Sequence, residues 1–149
     1  MRIAIGNDHA GPQMKRELMA YLEEKGHTVI NYGTDSEEST SYAIYGEKVA
    51  EAVAGREADC GVLICGTGVG ISLAANKVPG IRAAVCSDAT TARLVKQHNN
   101  ANIIAFGQRI VGIELAKDIL DAYLNATFEG GRHADRVAMI TEIEKKHSI

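Results

Sequence analysis

The chain has no tryptophan and only two prolines among its 149 residues. It lacks any apolar run near the roughly 18 residues needed to cross a bilayer, which sets aside a membrane-spanning helix. It also lacks a strong charge excess. Sixteen basic and 19 acidic residues leave a net charge of −3, with both signs mixed along the chain. That pattern carries no basic stripe for nucleic acid and no cationic patch for a membrane surface. Three cysteines is an odd count with no close pairing. Free thiols in a reducing cytoplasm are therefore expected, not a disulfide framework. No Cys/His spacing matches a zinc site, and no metal is expected. The N-terminal stretch meets Asp8 too early for a signal peptide, which agrees with a cytoplasmic location.

What is present is a regular alternation of short apolar runs and amphipathic segments. Strands are expected over residues 2–6, 27–32, 60–64, 81–86 and 103–106. The first helix opens at Pro12, where a missing N–H costs nothing, and stops at Gly26. A second runs from about Tyr42 to Gly55, a short third over 72–76, and a fourth over 88–97 with Ser87 as N-cap. A fifth carries Ile113, Ala116, Leu120, Tyr123 and Leu124 on one face, and a last one spans 132–146. His98 and Asn99 fall in a polar connection. The strands are continuous apolar runs, as expected when both sheet faces are covered. The expectation is one domain over 1–149. Its fold is α/β, doubly wound and Rossmann-like, with a five-stranded parallel sheet, helices on both faces and an extra C-terminal helix.

In such sheets, ligands bind beyond the carboxyl ends of the strands. The candidates are Asp8 and His9 after the first strand, Cys65 to Gly70 after the third, Cys86 to Asp88 after the fourth, and Gln108 and Arg109 after the fifth. The loop Cys65-Gly66-Thr67-Gly68-Val69-Gly70-Ile71 is the most informative. Its three alternating glycines let backbone N–H groups approach a ligand. The third glycine comes one residue early for a dinucleotide fingerprint, and Gly70-Ile71-Ser72 is not the ending of a nucleoside-triphosphate loop. Cys65 stands ahead of a helix N-terminus, a position that favours a thiolate able to act as nucleophile or base. Cys60 and Cys86 read as packing residues. His9 and His98 are candidates; His27, His133 and His147 read as surface residues. Arg132 and Arg136 lie about 40° apart around the last helix and continue an apolar stripe of Met139, Ile140 and Ile143. Such a pair fits phosphate, and a helix placed after the sheet is complete can reach a neighbouring subunit.

Six motifs in order then resemble ribose-5-phosphate isomerase type B, a family that includes isomerases of allose 6-phosphate and galactose 6-phosphate. They are Gly6 to Gly11, Cys65 to Ile71, Ala75-Asn76-Lys77, His98-Asn99, Phe106 to Arg109, and Gly130 to His133. The resemblance spans essentially the whole chain. It implies a cofactor-free aldose–ketose isomerase that works as a homodimer, or a dimer of dimers, with shared sites. It implies Cys65 as the base between C2 and C1, and Thr67 as an aid to proton movement between the oxygens. The amides of Gly66, Thr67, Gly68, Val69 and Gly70 would hold a cis-enediolate. His98 would open the sugar ring. Asn99, Asp8, His9 and Tyr42 would contact the sugar. Arg109, Arg132 and Arg136 would hold phosphate, the last two across the interface. Many relatives carry Asp-Tyr-Pro before the second helix, where this chain has Ser41-Tyr42-Ala43, which leaves sugar length open. The rivals are a six-carbon substrate, a non-catalytic sugar-phosphate sensor and a nucleotide-binding module; the Cys65 thiol speaks against both binding modules.

Overall fold

The computed structural model describes residues 1–148. Eleven elements alternate along them: β1 (Arg2–Asn7), α1 (Pro12–Glu24), β2 (Thr28–Asn31), α2 (Tyr42–Ala54), β3 (Cys60–Cys65), α3 (Val69–Ala75), β4 (Ala83–Val85), α4 (Ala89–Asn99), β5 (Ile103–Gly107), α5 (Ile113–Leu124) and α6 (Arg132–His147). The strands form one parallel sheet in the order β2-β1-β3-β5-β4. This is the expected doubly wound α/β architecture with its added C-terminal helix.

Strand side chains alternate between two cores, because successive residues of a strand point to opposite faces. Ile3, Ile5, Val62, Ile64, Ile104 and Phe106 pack against α1, α4 and α5 through residues such as Leu18, Ala92 and Leu120. Ala4, Leu63, Cys65, Ile103 and Ala105 pack against α2 and α3 through Val49, Val53 and Ile71. Cys60 and Cys86 belong to the first core, as their packing assignment requires. Burial pushes the Cys60 thiol up to about 12 and the Cys86 thiol up to about 11, so neither offers a thiolate at neutral pH.

Several expected boundaries move. β4 is only Ala83–Val85, and α3 starts earlier than expected, at Val69. The N-cap of α4 is Asp88, not Ser87: its carboxylate accepts from the Thr91 N–H at 2.6 Å and from the Thr91 hydroxyl at 2.7 Å. α4 also runs two residues further than expected, to Asn99, because Asn100 supplies a left-handed C-cap with φ 48°. His98 and Asn99 therefore sit in a helical turn and not in a free connection.

The ladder between β3 and β5 continues past the strand ends. Gln108 N–H donates to Cys65 O at 3.0 Å, and Arg109 N–H donates to Gly66 O at 3.1 Å. The two backbones are so close that a Cβ on Gly107 would lie 2.4 Å from Thr67 Cα. Gly68, with φ +85°, would place a Cβ 2.8 Å from the Phe106 backbone. Two tests follow from these contacts. Gly107→Ala should cost at least about 1–3 kcal/mol in denaturant unfolding, the usual range for overpacking, and unchanged stability would contradict the close approach. Asp88→Ala should lower the melting temperature at pH 7, whereas Ser87→Ala should not. Hydrogen bonds from Thr91 hold the Asp88 carboxyl below its usual range. Its stabilisation is therefore present above the unfolded value and lost as pH falls, and the gap between wild type and Asp88→Ala should close below about pH 4.

Candidate active site

The loop after β3 is the centre of the first cluster. Cys65 is buried, and its Sγ accepts the Gly68 N–H at 3.1 Å. The Gly68 N–H thus aims its partial positive charge at the sulfur. Thr67 is exposed, and its Oγ1 accepts the Val69 N–H at 3.2 Å. Two of the loop amides are thus engaged within the loop. Gly70 lies in the first turn of α3, where an N–H has no carbonyl inside the helix to receive it.

Three other segments close around this loop. From α2, Tyr42 lies over Gly70, where an added Cβ would be 2.7 Å from its ring. Ser41 caps α2, its Oγ accepting the Ala43 N–H at 3.3 Å. After β5, the Arg109 guanidinium covers Gly66, 3.4 Å from where a Cβ would stand. After β1, Asp8 is buried, and its Oδ1 accepts the Ala10 N–H at 2.9 Å. His9 Nδ1 accepts the Thr40 N–H at 3.2 Å, which leaves Nε2 to carry the ring proton. A cavity of about 350 Å³ opens here, lined by His9, Pro12, Gln13, Glu37, Gln108 and Arg109. The segment before Thr40 is fixed from below. The fully buried Lys15 donates to Thr34 O at 2.7 Å and pairs with Asp35. Asn7 donates to the same carbonyl at 3.0 Å. The lysine ammonium holds the Asp35 carboxyl below its usual range.

The remaining candidates form a second cluster at the other end of the sheet. Ile103 pairs with Gly61 and Gly107 with Cys65, so four strand steps, about 13 Å, separate the two ends. The helix α4 returns from the end that carries Cys65 to the end where β5 begins, and His98 and Asn99 sit in its last turn. Glu129 N–H donates to Gln97 O at 3.0 Å, and Glu144 accepts the Gly80 N–H at 3.1 Å. Those contacts lay α6 along the same end. Within one chain, His98, Asn99, Arg132 and Arg136 are therefore remote from Cys65.

His133, expected on the surface, is buried instead. Its ring stacks on His98, with centroids 4.3 Å apart and planes 9° apart. Glu129 Oε1 lies 3.6 Å from His98 Nε2 and 3.5 Å from His133 Nε2. Burial lowers the His133 pKa; nearby His98 and Arg132 push it further down, against the pull of Glu129. Glu129 and His133 are four residues apart, but Gly130 and Gly131 intervene, so helical spacing gave no reason to pair them. Arg132 and Arg136 are exposed. The stripe they continue is exposed too: Met139 is 67%, Ile140 49% and Ile143 60% accessible. No helix among the described residues is long and apolar enough to cross a membrane.

Residues 3–140 match the family described as Ribose/Galactose Isomerase. The chain is 56% identical over 147 residues to ribose-5-phosphate isomerase B of Escherichia coli (strain K12), covering 99% of both chains. It is 53% identical over 129 residues to a galactose-6-phosphate isomerase subunit of Clostridium acetobutylicum, covering 87% of this chain and 75% of that one. A solved structure of ribose-5-phosphate isomerase B of Clostridium thermocellum superposes with a TM-score of 0.98 at 57% identity, covering 99% of this chain and 100% of that one. With the family model matched over residues 3–140 and the fold and length shared with these relatives, the chain belongs to the ribose/galactose isomerase family.

Proposed function

We propose that the protein interconverts D-ribose 5-phosphate and D-ribulose 5-phosphate through a cis-enediolate. The observation that carries this reading is the Cys65 sulfur, held by the Gly68 N–H inside a glycine loop. It is supported by the identity to a ribose-5-phosphate isomerase B along nearly the whole chain. In the forward direction the Cys65 thiolate takes the C2 proton of the open-chain aldose, and the electrons move to O1. Backbone amides of the loop, Gly70 among them, stabilise the developing oxyanion. A proton then passes from O2 to O1 with the help of the Thr67 hydroxyl, and the Cys65 thiol returns its proton to C1. Asp8, His9 and Tyr42 orient the sugar hydroxyls. Phosphate held by arginines far from the reacting carbons supplies positioning energy.

The two clusters become one site only if a second copy of the chain supplies the missing half. In a two-fold dimer the glycine loop, Asp8, His9, Tyr42 and Arg109 of one protomer meet His98, Asn99, Arg132 and Arg136 of the other. The exposed Met139, Ile140 and Ile143 stripe, and the exposed Ile44, Val69, Leu73 and Ile110 around the loop, are then available as apolar interface. Three free thiols suit a reducing cytoplasm. A six-carbon sugar phosphate is the second reading, favoured by the galactose-6-phosphate isomerase relative; Ser41 and Ala43 beside Tyr42 leave the sugar length open.

Purified protein should turn over ribose 5-phosphate, with Cys65→Ala lowering kcat by about 10²–10⁴, the usual worth of a general base. Activity on galactose 6-phosphate or allose 6-phosphate alone would move the assignment to the six-carbon reading. Turnover of none of these sugars would end the isomerase reading, and full activity of Cys65→Ala would remove the base. Arg136→Ala should raise KM about tenfold or more while changing kcat less, because a charged hydrogen bond is worth about 1.5–3 kcal/mol. An unchanged KM would remove Arg136 from the phosphate site.

A further inference from the structure

Glu129, His98 and His133 are the one group of metal-ligating side chains gathered together among the described residues. Their geometry does not suit an ion. A metal binds an imidazole nitrogen in the plane of its ring, and two rings stacked only 9° from parallel cannot both aim at one point between them. The arrangement suits a shared carboxylate. Both Nε2 atoms face the same oxygen of Glu129, at 3.6 and 3.5 Å, and His98 Nδ1 has no hydrogen-bond partner among the described residues. The two rings also differ in access: the His98 side chain is 38% exposed and that of His133 only 9%. The outer ring can meet a ligand; the inner one is a wall.

We propose that Glu129 is a positioning residue for His98, holding its imidazole together with the stacked His133 ring and giving its charged form a counter-charge while the sugar ring opens. The inference rests on the isomerase reading above and assigns a task to a residue outside the reacting cluster. In that task, His98 gives a proton to the ring oxygen O4, and the C1–O4 bond breaks. The C1 hydroxyl gives its proton to solvent as the carbonyl forms, and His98 is reprotonated from solvent. The carboxylate keeps Nε2–H of His98 turned toward itself, so the same ring edge always faces the sugar, as an orienting acid does for a histidine base elsewhere. His133 completes the frame. Burial and the neighbouring His98, Arg132 and Arg136 disfavour its charged form, so it stacks on a charged His98 as a neutral ring, without like-charge repulsion and with a favourable cation–ring contact.

The test separates ring opening from the enediolate chemistry. Glu129→Gln keeps the size and shape of an exposed side chain and removes only the charge. Its kcat for ribose 5-phosphate should fall about 10- to 100-fold, a part of what a general acid contributes. A phosphorylated four-carbon hydroxamate is acyclic and mimics the enediolate, so its dissociation constant should stay within about twofold of wild type. Undiminished kcat in Glu129→Gln would overturn the inference. Equal loss of turnover and hydroxamate binding would also overturn it, because the carboxylate would then be holding the site together and not acting through His98. A wild-type protein that neither turns over ribose 5-phosphate nor binds the hydroxamate would instead strike the isomerase reading itself.

Discussion

The backbone contact between residues 65–68 and 106–109 is the constraint on which the first cluster depends. Parallel pairing of β3 with β5 brings the two chains to the same level at Cys65 and Gly107. Past that level the ladder continues through Gln108 and Arg109, and only glycine at 107 and 68 leaves room for it. That one approach turns the loop back over β5, starts α3 at Val69, aims the Gly68 N–H at the Cys65 sulfur and lays Arg109 across Gly66. The setting of the Cys65 sulfur is thus a consequence of how two strands end, and no side chain of the loop has to be ordered separately to create it.

A second constraint is the direction of a parallel sheet. Each helix must carry the chain back to the opposite end, so a residue at the end of a helix and one at the end of a strand lie at opposite ends of the sheet. His98 lies in the last turn of α4 and Cys65 ends β3. No rearrangement of side chains brings them together within one chain. In the proposed two-chain site, the exposed arginines and apolar stripe of α6 are the half turned outward, and the stacked histidines with Glu129 are the frame of that half.

Much of this was legible in the sequence. Continuous apolar runs marked the strands, glycines marked the loop, and the residues following β1, β3 and β5 were named from topology alone. What was not legible depended on contacts between distant segments. Ser87 and Asp88 are both good caps, and it is Asp88 that accepts from the Thr91 N–H and hydroxyl. Asn100 lengthens α4 because it adopts the left-handed conformation, a choice its neighbours make for it. His133 looks like a surface residue until α6 docks on α4. Lys15 sits on a helix whose pattern gives no hint that its amine will be buried under Thr34. The order of the strands, which brings β5 beside β3 and leaves β4 at the edge, is likewise invisible in local pattern.

The central claim is that one active site is built from two chains, and subunit mixing tests it most directly. Cys65→Ala and His98→Asn variants, each with little activity alone, are unfolded, combined in equal amounts and refolded together. If the site is shared across a two-fold dimer, half of the dimers are hybrids, and each hybrid has one site with both groups intact. Activity should then return to about one quarter of the wild-type value. If each chain carried its own complete site, every site in the mixture would keep one defect, and activity no higher than that of the separate variants would contradict the account.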